Sequence, residues 1–167
     1  LFRSPMAWLI GIIKRKAAAI EAKSAAIFTV LATATNKTAT TIFLAGNSTV
    51  VDQSREPWAA WGQMIPRFFA PGKVAVANYA ESGEALNSFL SARRLEKILS
   101  LMKAGDYLFI EFGHNDQKQK GEGVGAFTTY KKSLQFFISE VRKKGGVPVL
   151  VSSMNRRSFD STGHIIN

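Results

Sequence analysis

The sequence predicts an α/β protein in which helices cover both faces of a parallel sheet. From Thr41 onward, short runs of apolar residues alternate with longer stretches whose apolar residues recur at helical spacing. The stretches between the runs are long enough to hold a crossover helix, which parallel strands require. We therefore expect a three-layer α/β/α sandwich with a flavodoxin-like strand order of 2-1-3-4.

The four apolar runs are the expected strands. The first and third runs each end in a glycine, Gly46 and Gly113, followed by short polar residues. The second run contains β-branched valines and follows a Pro-Gly pair, and the fourth run follows two glycines. Turn-forming residues thus bound each run. We expect strands at residues 41–45, 73–79, 107–112 and 147–151.

Three segments between these strands are the expected helices. The first, residues 57–65, opens with proline, which suits the first position of a helix. The second, residues 84–102, ends just before a Gly-Asp pair. The third, residues 127–144, ends in two lysines that suit the negative end of the helix dipole. Farther along, we expect a turn at residues 160–163 between two short extended segments.

Composition limits the class of protein. The 167 residues suffice for one domain with a sizeable core, and the absence of cysteine excludes a thiol nucleophile, a cysteine-ligated metal and disulfides. The net charge is +10, but residues 1–40 hold six Lys/Arg against one Glu, which places +5 of it in that segment. The remainder shows no basic stripe interleaved with aromatic residues, so we expect no nucleic-acid partner.

Residues 1–40 are expected to be a leader, and residues 41–167 to be the folded domain. A basic cluster at residues 14–16 precedes an Ala-rich stretch and a short apolar run at residues 25–34, which is typical of a signal peptide. The apolar run is too short to span a bilayer, so no membrane span is expected. An amphipathic helix or a piece of an upstream domain fits the same residues. If the leader directs export, the protein is secreted or periplasmic.

Two polar motifs follow the first and third expected strands. Ser48 lies in the first motif, and Asn115 lies in the second, 67 residues later. Residues just past the carboxyl ends of parallel strands gather at one edge of the sheet, so the hydroxyl and the carboxamide are expected to converge. A serine beside an amide donor suits nucleophilic catalysis with a stabilised oxyanion. The alternative roles are a helix N-cap for Ser48 and an Asx turn for Asn115.

The sequence Gly-Asn-Ser-Thr-Val at residues 46–50, with Gly-His-Asn-Asp at residues 113–116, resembles the SGNH (GDSL-type) esterase superfamily and, within it, the rhamnogalacturonan acetylesterase branch. The resemblance covers roughly residues 40–167. It implies that Ser48 is the nucleophile and that Asn115 and the backbone N–H of Gly83 stabilise the oxyanion. Gly83 could equally be a loop glycine that adopts a positive φ. Asn47 stands where the family has aspartate, so some loop hydrogen bonds must differ.

The resemblance leaves the base of the catalytic triad unassigned. In the family, the base histidine and its aspartate come from a C-terminal Asp-x-x-His block, and the resemblance implies that these 167 residues end before that block. We expect a structural or site-lining role for His114 and a surface turn position for His164. Asp116 is expected to be a loop or cap residue rather than the acid of the triad.

The activity implied by the resemblance is that of a serine esterase that removes O-acetyl groups from acetylated pectin, with rhamnogalacturonan as the expected substrate. Its partner would be an acetylated polysaccharide, and these residues alone would have little activity. No cluster has metal-ligand spacing, and the Gly-rich stretch 121–125 lacks the Gly-Lys-Ser/Thr of a phosphate loop, so no cofactor is expected. Two other interpretations stay open: a non-catalytic carbohydrate-binding module on the same scaffold, and a truncated gene product.

Overall fold

The computed structural model describes residues 39–154 and 157–166, and within them four strands form one sheet. These strands are β1 (Thr40–Ala45), β2 (Val74–Asn78), β3 (Tyr107–Ile110) and β4 (Val147–Leu150). Their order is β2-β1-β3-β4, and all neighbours are parallel, so the predicted order is confirmed. The predicted leader lies outside the described residues except for residues 39 and 40, and Thr40 is already the first residue of β1.

The central strand of the sheet is β1, which pairs with β2 on one side and β3 on the other. Its last four residues are buried, because a parallel strand in the middle of a three-layer fold is covered on both faces. This explains the uninterrupted apolar run in the sequence. At the β4 edge, the side chains of Val147 and Leu150 are exposed.

The first helix is shorter than predicted and begins later. α1 (Trp61–Met64) is one turn long and continues as a 3₁₀ turn, Ile65–Phe68. It begins where the Trp61 N–H reaches the Thr49 carbonyl oxygen at 3.2 Å. Pro66 cannot donate the next helical hydrogen bond, which favours the change to 3₁₀ geometry. The prediction of a helix opening at Pro57 was therefore wrong, because a tertiary contact decides the starting residue.

The segment predicted as one helix at residues 84–102 is two helices. α2 (Leu86–Ser91) and α3 (Arg94–Leu101) are separated by Arg93, whose φ of 56° is left-handed. In a continuous helix at about 100° per residue, Phe89 and Ile98 would point in roughly opposite directions. The break allows both of these side chains to be buried. Core packing thus outweighs the cost of about 1–2 kcal/mol for a non-glycine residue in this conformation.

The third predicted helix is confirmed with a modified start. A π-helical turn, Ala126–Tyr130, leads into α4 (Lys131–Lys143). Residues 157–166 contain the expected turn, closed by an antiparallel bridge between Phe159 and Ile165. None of the helices in the described ranges has the length and apolar character that crossing a bilayer would need.

The core forms two clusters, one on each face of the sheet, because alternate strand residues point to opposite faces. On one face, three phenylalanines pack together with ring centroids 5.3 to 6.0 Å apart, and residues of α2, α3 and α4 join them. On the other face, Trp61 of α1 packs against Phe109 and the buried Leu44 and Val50. The three phenylalanines are Phe89, Phe112 and Phe137. This arrangement is the predicted three-layer sandwich.

Candidate active site

Three loops meet at the carboxyl edge of the sheet, one after each of β1, β2 and β3. The Glu81 N–H, beyond β2, donates to the Gly46 carbonyl oxygen at 3.1 Å. The Glu111 N–H, beyond β3, donates to the Ala45 carbonyl oxygen at 3.0 Å. Backbone pairing therefore continues past the strand ends and fixes the loops that carry the predicted site residues Ser48, Gly83 and Asn115.

Ser48 is exposed in a tight turn directly after β1. The N–H groups of Val50 and Val51 both donate to the Asn47 carbonyl oxygen, at 2.9 and 3.0 Å. No α-helix of the described residues begins here, since α1 starts at Trp61, so Ser48 is not a helix N-cap. The turn requires Gly46, because a Cβ at that position would collide with the Val50 side chain and lie 3.0 Å from the Glu111 carbonyl oxygen.

Asn47 is buried beneath the Ser48 turn. Its Oδ1 accepts the Thr49 N–H at 3.1 Å, which makes an Asx turn, and also lies 3.0 Å from the Thr49 hydroxyl oxygen. Its Nδ2 is buried and has no hydrogen-bond partner within the described ranges. An aspartate would keep the acceptor and would not bury this unpaired donor. The difference from the family pattern at Asn47 therefore has a visible structural consequence.

Gly83 and Asn115 are brought together by a direct contact between their loops. The Asn115 Nδ2 donates to the carbonyl oxygen of Glu84, the neighbour of Gly83, at 2.9 Å. The Asn115 Oδ1 accepts from the Lys118 ammonium at 2.8 Å. Gly83 has a φ of 86°, which favours glycine, and a Cβ there would meet nothing within 4 Å. The conformational role of Gly83 is thus observed, and its N–H remains available for another role.

Several donors at this edge have no acceptor among the described residues. The backbone N–H groups of Ser48 and Gly83 appear in no hydrogen bond with these residues. An amide NH₂ has two donor hydrogens, and the described contacts of Asn115 use one of them. Donors without a described acceptor, at the same sheet edge as an exposed serine, are the groups that an oxyanion hole needs.

A buried carboxylate that the sequence analysis did not single out lies beneath the Ser48 turn. Glu111 is 1% exposed, and its Oε1 accepts the Thr49 hydroxyl at 2.7 Å. Its Oε2 accepts the Trp61 indole N–H. Trp61, which also packs against Phe109, is thus held by both a hydrogen bond and an aromatic contact. The available sequence signal was an acidic residue inside the apolar run 107–112.

The other polar residues of the second motif hold the loops in place. Asp116 accepts the Leu86 N–H at 2.9 Å and the Gly113 N–H at 2.8 Å, so it acts at the start of α2 and in its own loop, as expected. His114 is partly buried in this loop. His164 is exposed in the C-terminal turn, where its Nδ1 lies 2.7 Å from the Thr162 hydroxyl oxygen. The described ranges contain no group of three acidic or histidine residues placed to hold a metal ion.

A cavity of about 530 Å³ opens beside this motif, between the loop after β3 and the residues after β4. The charged residues of its lining are Asp116, whose two oxygens bind backbone N–H groups, and Lys120, which has no hydrogen-bonding or acidic partner in the described part of the chain. Burial, then the nearby charge of Asp116, raises the pKa of Tyr130, whose hydroxyl donates to the Phe112 carbonyl oxygen at 3.2 Å. The cavity lining therefore contains one cationic side chain, that of Lys120, without a described partner.

Comparison with known proteins supports the resemblance seen in the sequence. No family model matches the chain. The chain is 44% identical over 126 residues to the rhamnogalacturonan acetylesterase RhgT of Bacillus subtilis (strain 168), an alignment that covers 74% of this chain and 53% of that protein. The chain thus spans about half the length of this curated relative.

Solved structures show the same architecture. The crystal structure of protein YxiM from Bacillus subtilis superposes with a TM-score of 0.67 and 31% identity, covering 75% of this chain and 36% of that one. A member of the lipolytic protein G-D-S-L family from Veillonella parvula gives a TM-score of 0.50 at 19% identity, covering 67% of this chain and 57% of its own, and supports the fold alone.

Proposed function

We propose that this chain carries the nucleophile and the oxyanion hole of a carbohydrate O-acetylesterase. Its fold is that of the SGNH (GDSL-type) hydrolases, and its sequence is similar to that of a rhamnogalacturonan acetylesterase. The observation that supports this most directly is the exposed Ser48 at the carboxyl edge. There, the Ser48 N–H, the Gly83 N–H and one Asn115 N–H have no acceptor among the described residues.

In this mechanism, the Ser48 oxygen attacks the carbonyl carbon of the acetyl ester, and a base takes the hydroxyl proton. The carbonyl oxygen becomes an oxyanion held by the three donors, each of which is worth roughly 3 kcal/mol in such sites. Collapse of the intermediate breaks the bond to the sugar oxygen, which leaves as an alcohol with the proton returned by the base. Water then hydrolyses the acetyl-serine by the same route and releases acetate.

The base in this proposal is a histidine oriented by an aspartate, both outside these 167 residues. His164 is a poor candidate because it lies in an exposed turn with Thr162 and Asp160 as its neighbours. By themselves, the oxyanion donors provide only residual acceleration, on the order of 10³–10⁴ over water. The 167-residue chain should therefore hydrolyse p-nitrophenyl acetate poorly.

The proposed substrate is an acetylated pectic polysaccharide, with rhamnogalacturonan first, which follows from the similarity to RhgT. The cavity lined by Gly113 and Asp116 supports a saccharide, since its volume is in the range of small-ligand sites and its lining combines amide, hydroxyl and aromatic groups. A secreted or periplasmic location fits a polymeric substrate and belongs to the same proposal.

The test is acetate release from acetylated rhamnogalacturonan by the protein expressed from its complete gene. We expect Ser48→Ala to lower kcat by at least about 10³-fold, because the nucleophile is lost. Ser54→Ala is the matched control, since Ser54 is an exposed serine on the same connection and should keep full activity. Unchanged acetate release by Ser48→Ala would refute the assignment.

The rival interpretation is a binding module that retains the scaffold without chemistry. It predicts that the complete protein binds the polysaccharide and releases no acetate, and that Ser48→Ala has no effect on binding or turnover. Measuring binding and acetate release on the same samples separates the two functions. Robust turnover by the 167 residues alone would instead assign the base to His114 or His164.

A further inference from the structure

We propose that Glu111 is a positioning residue that holds the Ser48 turn in register with the strand leading to Asn115. This inference rests on the proposed function and assigns a role to a residue outside the triad and the oxyanion donors. Glu111 does not reach the reacting atoms by its described contacts, which are the Thr49 hydroxyl and the Trp61 indole. It acts through Thr49, the residue that follows the nucleophile.

The contacts form a continuous connection around Ser48. Glu111 Oε1 binds the Thr49 hydroxyl at 2.7 Å, and Thr49 in turn contacts Asn47 Oδ1 through its hydroxyl at 3.0 Å and its N–H at 3.1 Å. Asn47 and Thr49 are the two chain neighbours of Ser48. The side chain of Glu111 therefore constrains the backbone on one side of the nucleophile directly and on the other side through Thr49.

The position of Glu111 in the chain allows it to link the Ser48 turn to the strand that leads to Asn115. Glu111 directly follows β3, whose continuation carries Asn115, and its own N–H donates to Ala45 at the end of β1. The same residue thus binds β1 through its backbone and the Ser48 turn through its side chain. A shift of Glu111 would change the spacing between the proposed nucleophile and the proposed oxyanion donor.

A purely structural role explains these contacts less well. Within the described ranges, no cation pairs with Glu111, although it is 1% exposed. Burying a carboxyl group with neutral donors alone is costly, and an apolar side chain in the same volume would avoid this cost. A residue retained at such cost directly beneath an exposed serine is best explained by the geometry that it imposes.

The expected signature is a change in kcat with little change in KM. A misplacement of about 1 Å at a reacting group can cost roughly 10²-fold in rate without affecting how the rest of the substrate binds. In the complete protein, we expect Glu111→Leu to lower kcat about 10- to 100-fold on acetylated rhamnogalacturonan, with KM changed less than about twofold.

Two further variants separate positioning from folding. Thr49→Val cuts the connection while leaving the Trp61 contact with Glu111 in place, and should lower kcat about 10-fold. Glu111→Gln should keep kcat within about threefold, because its carbonyl can accept from Trp61 and its NH₂ can donate to Thr49, whose hydroxyl then donates to Asn47. Asp106→Asn, at the opposite end of the sheet, is the control: it should leave kcat of the folded protein unchanged.

The Trp61 indole N–H resonance provides a readout independent of activity. We expect Glu111→Leu to shift it upfield, because its acceptor is lost, and Thr49→Val to leave it in place. A wild-type kcat for Thr49→Val would overturn the proposal, and so would a Glu111→Gln variant as impaired as Glu111→Leu.

If Glu111→Leu fails to fold, the kcat of Thr49→Val decides alone. If Ser48→Ala keeps its activity, the proposed function fails as a whole, whereas an inactive Ser48→Ala with a fully active Thr49→Val refutes only the role of Glu111.

Discussion

The two ends of the sheet each contain a buried carboxyl group next to β3, and they satisfy it in different ways. At the amino end, Asp106 is 1% exposed, accepts the Thr41 N–H at 2.8 Å and forms an ion pair with Lys103. At the carboxyl end, Glu111 has the same exposure, and its partners among the described residues are the neutral donors of Thr49 and Trp61.

We interpret the amino end as structural and the carboxyl end as the proposed functional end. The contacts of Asp106 join β1 to the connection after α3 and provide the charge with a cation, so this carboxylate is fully paired. At the carboxyl end, Asn47 Nδ2 lacks a partner, and the N–H groups of Ser48 and Gly83 have no described acceptor. Asn47 Nδ2 is buried, and proteins leave buried polar groups unsatisfied mainly at sites of function, which supports the proposed placement of the active site here.

After Ser48→Ala, the largest effect should come from removing a donor at the carboxyl end. In the complete protein, we expect Asn115→Ala to lower kcat about 10²- to 10³-fold, because one oxyanion donor is lost. The measurement is acetate release at saturating substrate. The stability of the fold should change less than the rate, since the losses are one hydrogen bond to Glu84 and an exposed one from Lys118. A variant that raises KM alone would place Asn115 in substrate binding rather than in the oxyanion hole.

An intermediate effect is expected at the amino end, on stability rather than on rate. Burial by itself would raise the pKa of Asp106, but hydrogen bonds from Lys103 and Thr41 outweigh it and leave the pKa below its ordinary value. Asp106 thus stabilises the fold above the usual aspartate pKa of about 3.9, and this contribution is lost as the pH falls through its lower native pKa.

Denaturant unfolding of the wild type and of Asp106→Asn tests this prediction. We expect the variant to lose roughly 1–3 kcal/mol of unfolding free energy at neutral pH, the range for hydrogen bonds to charged groups. The difference in unfolding free energy between the wild type and the variant should decrease as the pH drops below 4. A constant gap across this range would show that the charge of Asp106 is not the stabilising feature.

The smallest effect is expected at Lys120, and it tests whether the proposed binding region extends from the three loops into the neighbouring cavity. Lys120 lines the cavity next to Gly113 and Asp116 and lacks a described acidic partner. If an acidic sugar occupies the cavity, Lys120→Met should raise KM for acetylated rhamnogalacturonan about three- to tenfold and leave p-nitrophenyl acetate hydrolysis unchanged. Lys132→Met is the matched control, since Lys132 is an exposed lysine of α4. Equal KM values for the two variants would show that Lys120 does not bind the substrate and would restrict the proposed site to the three loops.

The sequence alone determined the sheet and the edge at which the proposed site residues lie. The strand positions followed from apolar runs bounded by glycine and proline, because burial on both faces of a parallel sheet demands continuous apolar character. The order followed from the expected flavodoxin-like fold. The convergence of the loops carrying Gly83 and Asn115 followed from the same rule, since parallel strands end at one edge. The assignment of Ser48, Gly83 and Asn115 to catalysis stays a prediction.

Only the tertiary structure decided the features that depend on contacts between distant residues. The break at Arg93 arises because α2 and α3 must both face the core, which helical periodicity within one segment does not show. The start of α1 depends on Thr49, and the partners of Glu111 lie 50 and 62 residues away in sequence. Local patterns record which faces are buried, whereas the pairing of buried polar groups is settled only when packing brings separate segments together.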